Sequence, residues 1–302
     1  MESGDILSGD AEADKLLLEK VNAECSVNWG VFGCDAFEGW DGGARFWRSW
    51  RPSEDEELKG AVIVVHGLHG HSGRYEHVAK LLVSHGYSTF SFDGQGHGRS
   101  SGARGHLKSL DGLLTDLKKF HSIIAVQETG KPVYALGHSM GGMIAIVASL
   151  TVELDGIFAS APSLKVGASP IQATVIKVLS AIAPKLVVKS LKGNLEGDTD
   201  PFIKLVLHPD LVLILPCLPN EILKGVKSLQ AKKAQLKVPL AIAHSLHDEV
   251  CDPTGSKAFI ESLDLPGKKL YLYDDIKVHE LLSPQTYERV LSDMLDFINS
   301  LS

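Results

Sequence analysis

Residues 137–142, with the sequence Gly-His-Ser-Met-Gly-Gly, carry the strongest chemical signal in the chain. They follow a strand-like apolar run at residues 133–136 and precede a helix-like run at residues 143–148. A serine on a sharp strand-to-helix turn is exposed at the helix N-terminus, where backbone N–H groups can stabilise a developing oxyanion. The pattern therefore predicts that Ser139 is a nucleophile.

The glycines around Ser139 favour this interpretation over a chance match. The turn is so sharp that the positions two before and two after the serine must have almost no side chain, and Gly137 and Gly141 meet that need. Gly142 allows the following helix to pack close to the sheet. The bare G-x-S-x-G pattern is weak in a chain with 29 glycines, so the prediction depends on the flanking strand and helix.

A serine hydroxyl is a poor nucleophile and needs a base, which is in turn oriented by a carboxylate. In hydrolases built on a parallel sheet, the order along the chain is serine, acid, histidine. Asp248 follows the strand-like run at residues 240–243, and His279 lies in the loop after the last strand-like run, residues 269–273. We therefore predict Ser139, Asp248 and His279 as a catalytic triad.

Other residues of the same types compete for these roles. Asp252 immediately precedes a proline and is typical of a helix N-cap. His244 and His247 both precede the last strand, which is the wrong place for the base. His138, beside the nucleophile, is interpreted as a packing residue. Two more acids follow the last strand and so lie on the wrong strand for the acid: Asp274 and Asp275.

An oxyanion hole needs two N–H donors, and one normally comes from the residue after the serine, here Met140. The other comes from the loop after the third strand, residues 66–71, with the sequence His-Gly-Leu-His-Gly-His. The tight turn at its start can aim the Leu68 N–H inward. A plain glycine-rich loop between a strand and a helix remains the alternative.

Strand-like and helix-like segments alternate along the chain and predict an α/β fold with a mostly parallel central sheet and helices on both faces. A hairpin over residues 36–50, turned at residues 40–43, precedes this alternation. The other predicted strands are residues 61–65, 87–92, 133–136, 156–160, 240–243 and 269–273, and the predicted helices are residues 74–85, 107–128, 143–148, 253–263 and 284–301.

Residues 163–236 interrupt this alternation with a proline-containing segment of helical patterning. Apolar residues within 171–186 share one helical face, and lysines lie away from it. We interpret the segment as a helical cap inserted between two parts of the core, residues 31–162 and 237–302, with residues 1–30 as an N-terminal extension. A mobile lid that sets acyl-chain preference and touches lipid surfaces is one hypothesis, and an ordinary core-packing helix is the other.

Composition limits the classes of partner and location. The chain has 302 residues, 44% hydrophobic, and a net charge of −7, which disfavours nucleic acid as a partner. The N-terminus lacks the apolar core of a signal peptide, and no apolar run reaches the roughly 18 residues of a membrane span. Four cysteines without metal-ligand spacing predict free thiols in a reducing compartment, and therefore a cytoplasmic protein.

Four segments together resemble the monoacylglycerol lipases and related lysophospholipases: residues 66–75, 93–102, 137–142 and 248–253. The likeness extends from about residue 36 to residue 300. It implies the α/β-hydrolase fold with an inserted helical cap, and no cofactor or metal. It also implies a serine hydrolase that cleaves monoacylglycerols or similar lipid esters through an acyl-enzyme. Peripheral membrane contact through the cap is a separate prediction, from lysines near its apolar face.

The resemblance also points to substrate-binding residues, Arg74 and Cys251. Some members of the family have a cysteine near the site, so Cys251 is either a reactive thiol or a buried structural one, with the second favoured. Two departures weaken a strict monoglyceride preference, because many members have glutamate at Gly70 and the animal enzymes have histidine at Leu282. A lysophospholipase or small-ester carboxylesterase is the alternative, and a non-catalytic receptor or scaffold on the same fold is less favoured.

Overall fold

The structure is a computed structural model that describes residues 32–103, 105–165, 189–191, 212–214 and 217–301. Within these ranges, the strands are β1 Phe32–Glu38, β2 Ala44–Trp50, β3 Gly60–Val65, β4 Tyr87–Phe92, β5 Val133–His138, β6 Gly156–Ser160, β7 Lys189–Leu191, β8 Val212–Ile214, β9 Leu240–Ser245 and β10 Lys269–Tyr273. Eight of them form one sheet in the order β1-β2-β4-β3-β5-β6-β9-β10, in which β2 is antiparallel to both its neighbours and the rest are parallel. The other two, β7 and β8, pair antiparallel with each other.

Helices cover both faces of the large sheet, as the alternating pattern predicts. The helices in the described part of the chain are α1 Glu76–Ser84, α2 Leu110–Gln127, α3 Met140–Ala148, α4 Cys217–Lys232, α5 Pro253–Glu261 and α6 Tyr287–Asn299. On one face of the sheet, α2, α3 and α5 pack with the C-terminal half of α4, and on the other face α1 packs with α6.

The central strand β3 shows why its sequence is apolar throughout. Its side chains alternate between the two faces, so Ile63 packs under α2 and α3 while Val62 and Val64 pack under α1. All three are at most 1% exposed. Each such burial stabilises the fold by about 1.5–3 kcal/mol, and the strand ends are thereby held at fixed positions.

Element bounds agree with the sequence prediction except at several ends. β4, β6 and β10 have the predicted limits, but α2 begins at Leu110 rather than residue 107. Ser109 adopts extended backbone there, and its side chain accepts a hydrogen bond from Gly112 N, which makes it the N-cap. α6 begins at Tyr287, three residues later than predicted, because Ser283 and its neighbours form hydrogen-bonded turns instead.

The cap prediction concerns residues that the structure describes only in part. The apolar helix predicted within residues 171–186 lies outside the described residues. α4, at the C-terminal end of the predicted cap, is anchored to the core: Leu229 is 1% exposed in the apolar cluster, and the Glu221 carboxylate accepts a hydrogen bond from Leu110 N at 2.8 Å. The domain boundaries otherwise stay a prediction.

One cysteine differs from the sequence prediction. Cys34, in β1, is disulfide-bonded, so the expectation that all four thiols are free is wrong at this residue. Cys251 is a free, buried thiol. The cytoplasmic location stays a prediction, and the disulfide at Cys34 weakens the argument from free thiols on which it rests. Among the helices that the structure describes, none is both long enough and apolar enough to span a membrane.

Candidate active site

Ser139 occupies the sharp turn between β5 and α3 and has the strained backbone such a turn demands. Its φ is 55°, in the left-handed region that non-glycine residues rarely adopt. A Cβ on Gly137 would lie 2.4 Å from the carbonyl oxygen of Gly141, and a Cβ on Gly141 would lie 2.1 Å from that of Val65. Both positions therefore need glycine, as the spacing predicts.

The predicted acid and base meet the serine at one edge of the sheet, although they come from distant parts of the chain. His279 Nε2 lies 3.0 Å from Ser139 Oγ, and His279 Nδ1 lies 2.6 Å from Asp248 Oδ2. This line of hydrogen bonds lets the imidazole accept the serine proton at one nitrogen while the other donates to a carboxylate. The Asp248 side chain is fully buried and that of His279 is 13% exposed.

Both carboxylate oxygens of Asp248 accept two hydrogen bonds each. Its Oδ1 accepts hydrogen bonds from the backbone N–H groups of Val250 and Cys251, at 2.7 and 2.9 Å. Its Oδ2 contacts His244 Nε2 at 3.1 Å in addition to His279. Burial raises the pKa of this carboxyl, but hydrogen bonds from His244, His279 and Cys251 N more than offset it and hold the pKa well below its usual range. The acid is therefore ionised throughout the neutral range.

The loop after β3 lies directly against the serine. A Cβ on Gly67 would be 3.2 Å from Ser139 Cβ, so the backbone that leads to Leu68 passes close to the nucleophile. His66 anchors this loop, because its Nδ1 lies 2.7 Å from the Gly67 carbonyl oxygen and its Nε2 accepts a hydrogen bond from Gly94 N at 2.9 Å.

The second proposed donor, Met140, is the first residue of α3. Its backbone N–H is therefore one of the four at a helix N-terminus that have no acceptor in the preceding turn.

His138 and Glu280 form a second histidine–carboxylate pair behind the base. His138 Nε2 lies 3.2 Å from Glu280 Oε1, and the His138 ring centroid is 4.8 Å from that of His279. Burial raises the pKa of Glu280, whereas His138, Arg74 and His279 lower it to about 2. His138 is 1% exposed and packs as the sequence predicts. Glu280 is a charged group at the site that the sequence analysis missed.

A metal ion at this site would compete with the predicted triad for His279. Among the residues that the structure describes, His138, His279 and Glu280 bring three potential ligand atoms within 4.8 Å of one another. Both nitrogens of His279 are already hydrogen-bonded, to Ser139 and to Asp248. An ion bound there would have to displace one of these partners, so the cluster favours acid–base chemistry over metal binding.

Cys251 lies beside the nucleophile but is poorly suited to attack. Its Sγ is 4.0 Å from Ser139 Oγ and 3.2 Å from Ser163 Oγ, and the residue is 8% exposed. Burial raises the pKa of this thiol, an effect that the hydrogen bond from Ser163 only partly reverses. At neutral pH the group is a protonated thiol, and the structural interpretation of Cys251 is favoured.

Of the alternatives weighed in the sequence, His244 contacts the Asp248 carboxylate, whereas Asp252 and His247 have other partners. Asp252 caps α5, where its side chain accepts a hydrogen bond from Thr254 N. His247 pairs with Asp274 at the exposed surface. Arg74 lies on a short 3-10 turn, Ser72–Tyr75, and its charge acts on Glu280.

Leu282, where a second histidine would extend the site, is 2% exposed and packs in the apolar cluster beneath α1 and α6. Its carbonyl oxygen lies 2.8 Å from His77 Nε2. The side chain at this position therefore contributes to the core and offers no hydrogen-bonding group to a substrate.

Comparison with known proteins gives one consistent answer. The family model described as "Serine aminopeptidase, S33" matches residues 56–285. The chain is 30% identical over 259 residues to a monoacylglycerol lipase from Mycolicibacterium smegmatis, covering 83% of this chain and 91% of that protein. It is also 30% identical over 247 residues to a monoglyceride lipase from Homo sapiens, covering 78% and 79%.

A solved structure of a soluble variant of monoglyceride lipase from Saccharomyces cerevisiae, in complex with a substrate analog, has the same fold. Its TM-score is 0.72 at 21% identity, over 88% of this chain and 94% of that one. Together with the sheet order and the serine turn, these similarities show that the chain belongs to the family of monoacylglycerol lipase-like serine hydrolases with the α/β-hydrolase fold, and that it is a carboxylic ester hydrolase.

Proposed function

We propose that this protein hydrolyses monoacylglycerols to a fatty acid and glycerol, with Ser139, Asp248 and His279 as its catalytic triad. The observation that carries the proposal is the unbroken line of hydrogen bonds from the serine through the histidine to a buried carboxylate. A receptor or scaffold does not need this geometry, nor the strained backbone of the serine, so the non-catalytic alternative has no support of its own.

The reaction takes place in two halves. His279 Nε2 accepts the Ser139 proton as the oxygen attacks the ester carbonyl, and the Leu68 and Met140 N–H groups stabilise the oxyanion. Collapse of this intermediate releases glycerol, which receives that proton from His279, and leaves the acyl group on Ser139. Water, deprotonated by His279, then attacks the acyl-enzyme, and the fatty acid leaves as the serine regains its proton. No step needs a cofactor.

Apolar side chains at the rim of the site support a lipid-like substrate. Val250 is 71% exposed two residues after the acid, and Val278 is 46% exposed one residue before the base. Exposed apolar groups beside a reactive centre are typical of a surface that binds an acyl chain or contacts a lipid interface. The cap, residues 163–236, is proposed to complete this surface and to set chain-length preference. Arg74 is proposed to act on the substrate head group.

A lysophospholipase or small-ester carboxylesterase stays the second candidate. The observation that favours it is the burial of Leu282, which leaves the site without a histidine at that position. The candidates differ in what they require of the substrate: a monoacylglycerol lipase needs a glycerol head group and a long acyl chain, a lysophospholipase needs a long acyl chain and a phosphate-bearing head group, and a small-ester esterase needs none of these.

The test is kcat/KM for monoacylglycerols from C4 to C18, for a lysophospholipid and for a short p-nitrophenyl ester. Each methylene buried contributes about 0.8 kcal/mol, so the efficiency should rise roughly fourfold per methylene at most until the acyl site is full. Sedimentation of the Ser139→Ala protein with anionic lipid vesicles tests membrane contact separately. Highest efficiency at C4, together with no vesicle binding, would contradict the lipid proposal and favour a small-ester esterase.

A further inference from the structure

His244 is a buried histidine that the proposed mechanism does not use. It lies at the end of β9, four residues before the acid, and is 0% exposed. Its Nε2 lies 3.1 Å from Asp248 Oδ2 and 3.0 Å from the carbonyl oxygen of Cys251, and its Nδ1 lies 2.8 Å from Ser256 Oγ. Both ring nitrogens therefore have polar partners inside the core.

These partners determine where the His244 proton is. A carbonyl oxygen can only accept, and Asp248 is ionised, so Nε2 must carry a proton that is shared between these two acceptors. The Ser256 hydroxyl can serve Nδ1 as a donor. The ring is thus locked by α5 on one side, and its N–H is directed at the oxygen that also accepts from His279.

With His244 included, the carboxylate of the acid has four donors, two for each oxygen. The backbone donors of Val250 and Cys251 hold Oδ1 but leave the carboxylate free to tilt about that oxygen. His244 supplies a fixed donor at Oδ2 in addition to His279, which restricts this tilt.

We infer that His244 is a positioning residue that holds the Asp248 carboxylate in the orientation His279 requires. This inference rests on the proposed triad and deepens it. The hydrogen-bond partners of His244 are Asp248, Cys251 and Ser256 rather than Ser139, so its effect on the reaction passes through the acid. Loss of its N–H would let Oδ2 move from its position 2.6 Å from His279 Nδ1, which loosens the base relative to the serine.

Two conservative variants distinguish the N–H donor at His244 Nε2 from the rest of the imidazole ring. In His244→Gln the amide nitrogen lies near the place of Nε2 and still donates to Asp248. In His244→Asn the shorter side chain reaches only as far as Nδ1, so the contact with Ser256 is kept and the donor to the acid is lost. We expect His244→Asn to lose about 100-fold in kcat with KM within about twofold, the size of effect that about 1 Å of misplacement produces, and His244→Gln to stay within about threefold of wild type.

A control and a double-mutant cycle make the test specific. His247→Asn is the matched control and should have near-wild-type kcat. His247 lies in the same loop as Asp248 and also pairs with an aspartate, Asp274, but this pair is exposed. If His244 acts through the acid, then in an Asp248→Asn background His244→Asn should cause little further loss, whereas an independent structural role would multiply the two losses. Should His244→Asn not accumulate as folded protein, Ser256→Ala takes its place, since it loosens the same ring.

Each outcome decides one claim. Wild-type kcat in His244→Asn, equal losses in the Asn and Gln variants, or multiplicative losses in the cycle would each overturn the positioning role. Near-normal activity of Asp248→Asn alone would instead contradict the proposed triad, so failure of the inference and failure of the proposed function are distinguishable. Thermal unfolding of each variant is measured in parallel, and His244→Asn should unfold at a lower temperature than His244→Gln because it removes a donor to the buried Asp248 carboxylate, so the kinetics are measured well below both midpoints.

Discussion

Two histidine–aspartate pairs join the loop after β9 to the loop after β10 and have similar nitrogen–oxygen distances. His279 Nδ1 lies 2.6 Å from Asp248 Oδ2, and His247 Nε2 lies 2.9 Å from Asp274 Oδ1. Their surroundings are opposite. The first aspartate side chain is fully buried, whereas in the second pair the histidine is 45% and the aspartate 85% exposed.

The comparison teaches that distance alone does not make a functional pair. Water screens the exposed pair, and such pairs contribute about 0–1 kcal/mol. The buried pair lies in a lower effective dielectric, where charge on the acid would act strongly on the imidazolium of the proposed reaction. The protein offsets the cost of burying the Asp248 charge with four hydrogen bonds, and the exposed Asp274 needs no such support.

The largest expected effect comes from replacing Ser139, whose hydroxyl is hydrogen-bonded to the histidine of the buried pair. Ser139→Ala should reduce kcat for ester hydrolysis about a millionfold, because without the nucleophile only weak residual catalysis is left. The measurement is hydrolysis of a monoacylglycerol, with a fluorophosphonate probe that should label wild type and not the variant. Labelling that persists in Ser139→Ala would mean that the nucleophile is another residue.

The second prediction tests the two pairs against each other. Asp248→Asn should lose roughly ten-thousandfold in kcat, since the amide favours the wrong tautomer of His279 and does not stabilise its charged form. Asp274→Asn makes the same chemical change in the exposed pair and should stay within about twofold of wild type. Steady-state kinetics on one substrate measures both. Equal losses would show that burial is not what distinguishes the pairs.

The smallest effect concerns the His138–Glu280 pair. The Glu280 side chain is 49% exposed, which is intermediate between the buried Asp248 and the exposed Asp274 of the other two pairs. The pKa of Glu280 is lowered from 4.5 to about 2, although burial alone would raise it, because His138, Arg74 and His279 favour the charged form. A carboxyl with a lowered pKa stabilises the fold above its unfolded-state value, and this contribution is lost as pH falls from 4.5 towards 2.

Glu280→Gln should therefore be less stable than wild type at neutral pH, and the difference should shrink as pH falls through that window. Urea unfolding of both proteins at intervals between pH 7 and pH 3 measures it. Glu249→Gln, an exposed change on the same rim, is the matched control. A difference in the free energy of unfolding that stays constant with pH would contradict the assigned cause.

Some of the site was predictable because the rules involved are local or topological. Gly137 and Gly141 indicated the serine turn through a steric need that the structure shows directly. The order of strands indicated Asp248 and His279, since the carboxyl ends of parallel strands meet at one edge of a sheet. The free-thiol prediction was wrong at Cys34, because cysteine spacing does not tell which thiols the fold brings together.

The sequence by itself determined the fold class, the strand ends that carry Ser139, Asp248 and His279, and the family to which the chain belongs. Only the tertiary structure decided which neighbours those residues have. His244 was rejected as the base from its position in the chain, yet its ring lies against the acid, and Glu280 reaches His138 across 142 positions of sequence. Chain order specifies which strand end carries a side chain, whereas packing specifies its rotation, its burial and the partners that satisfy its charge.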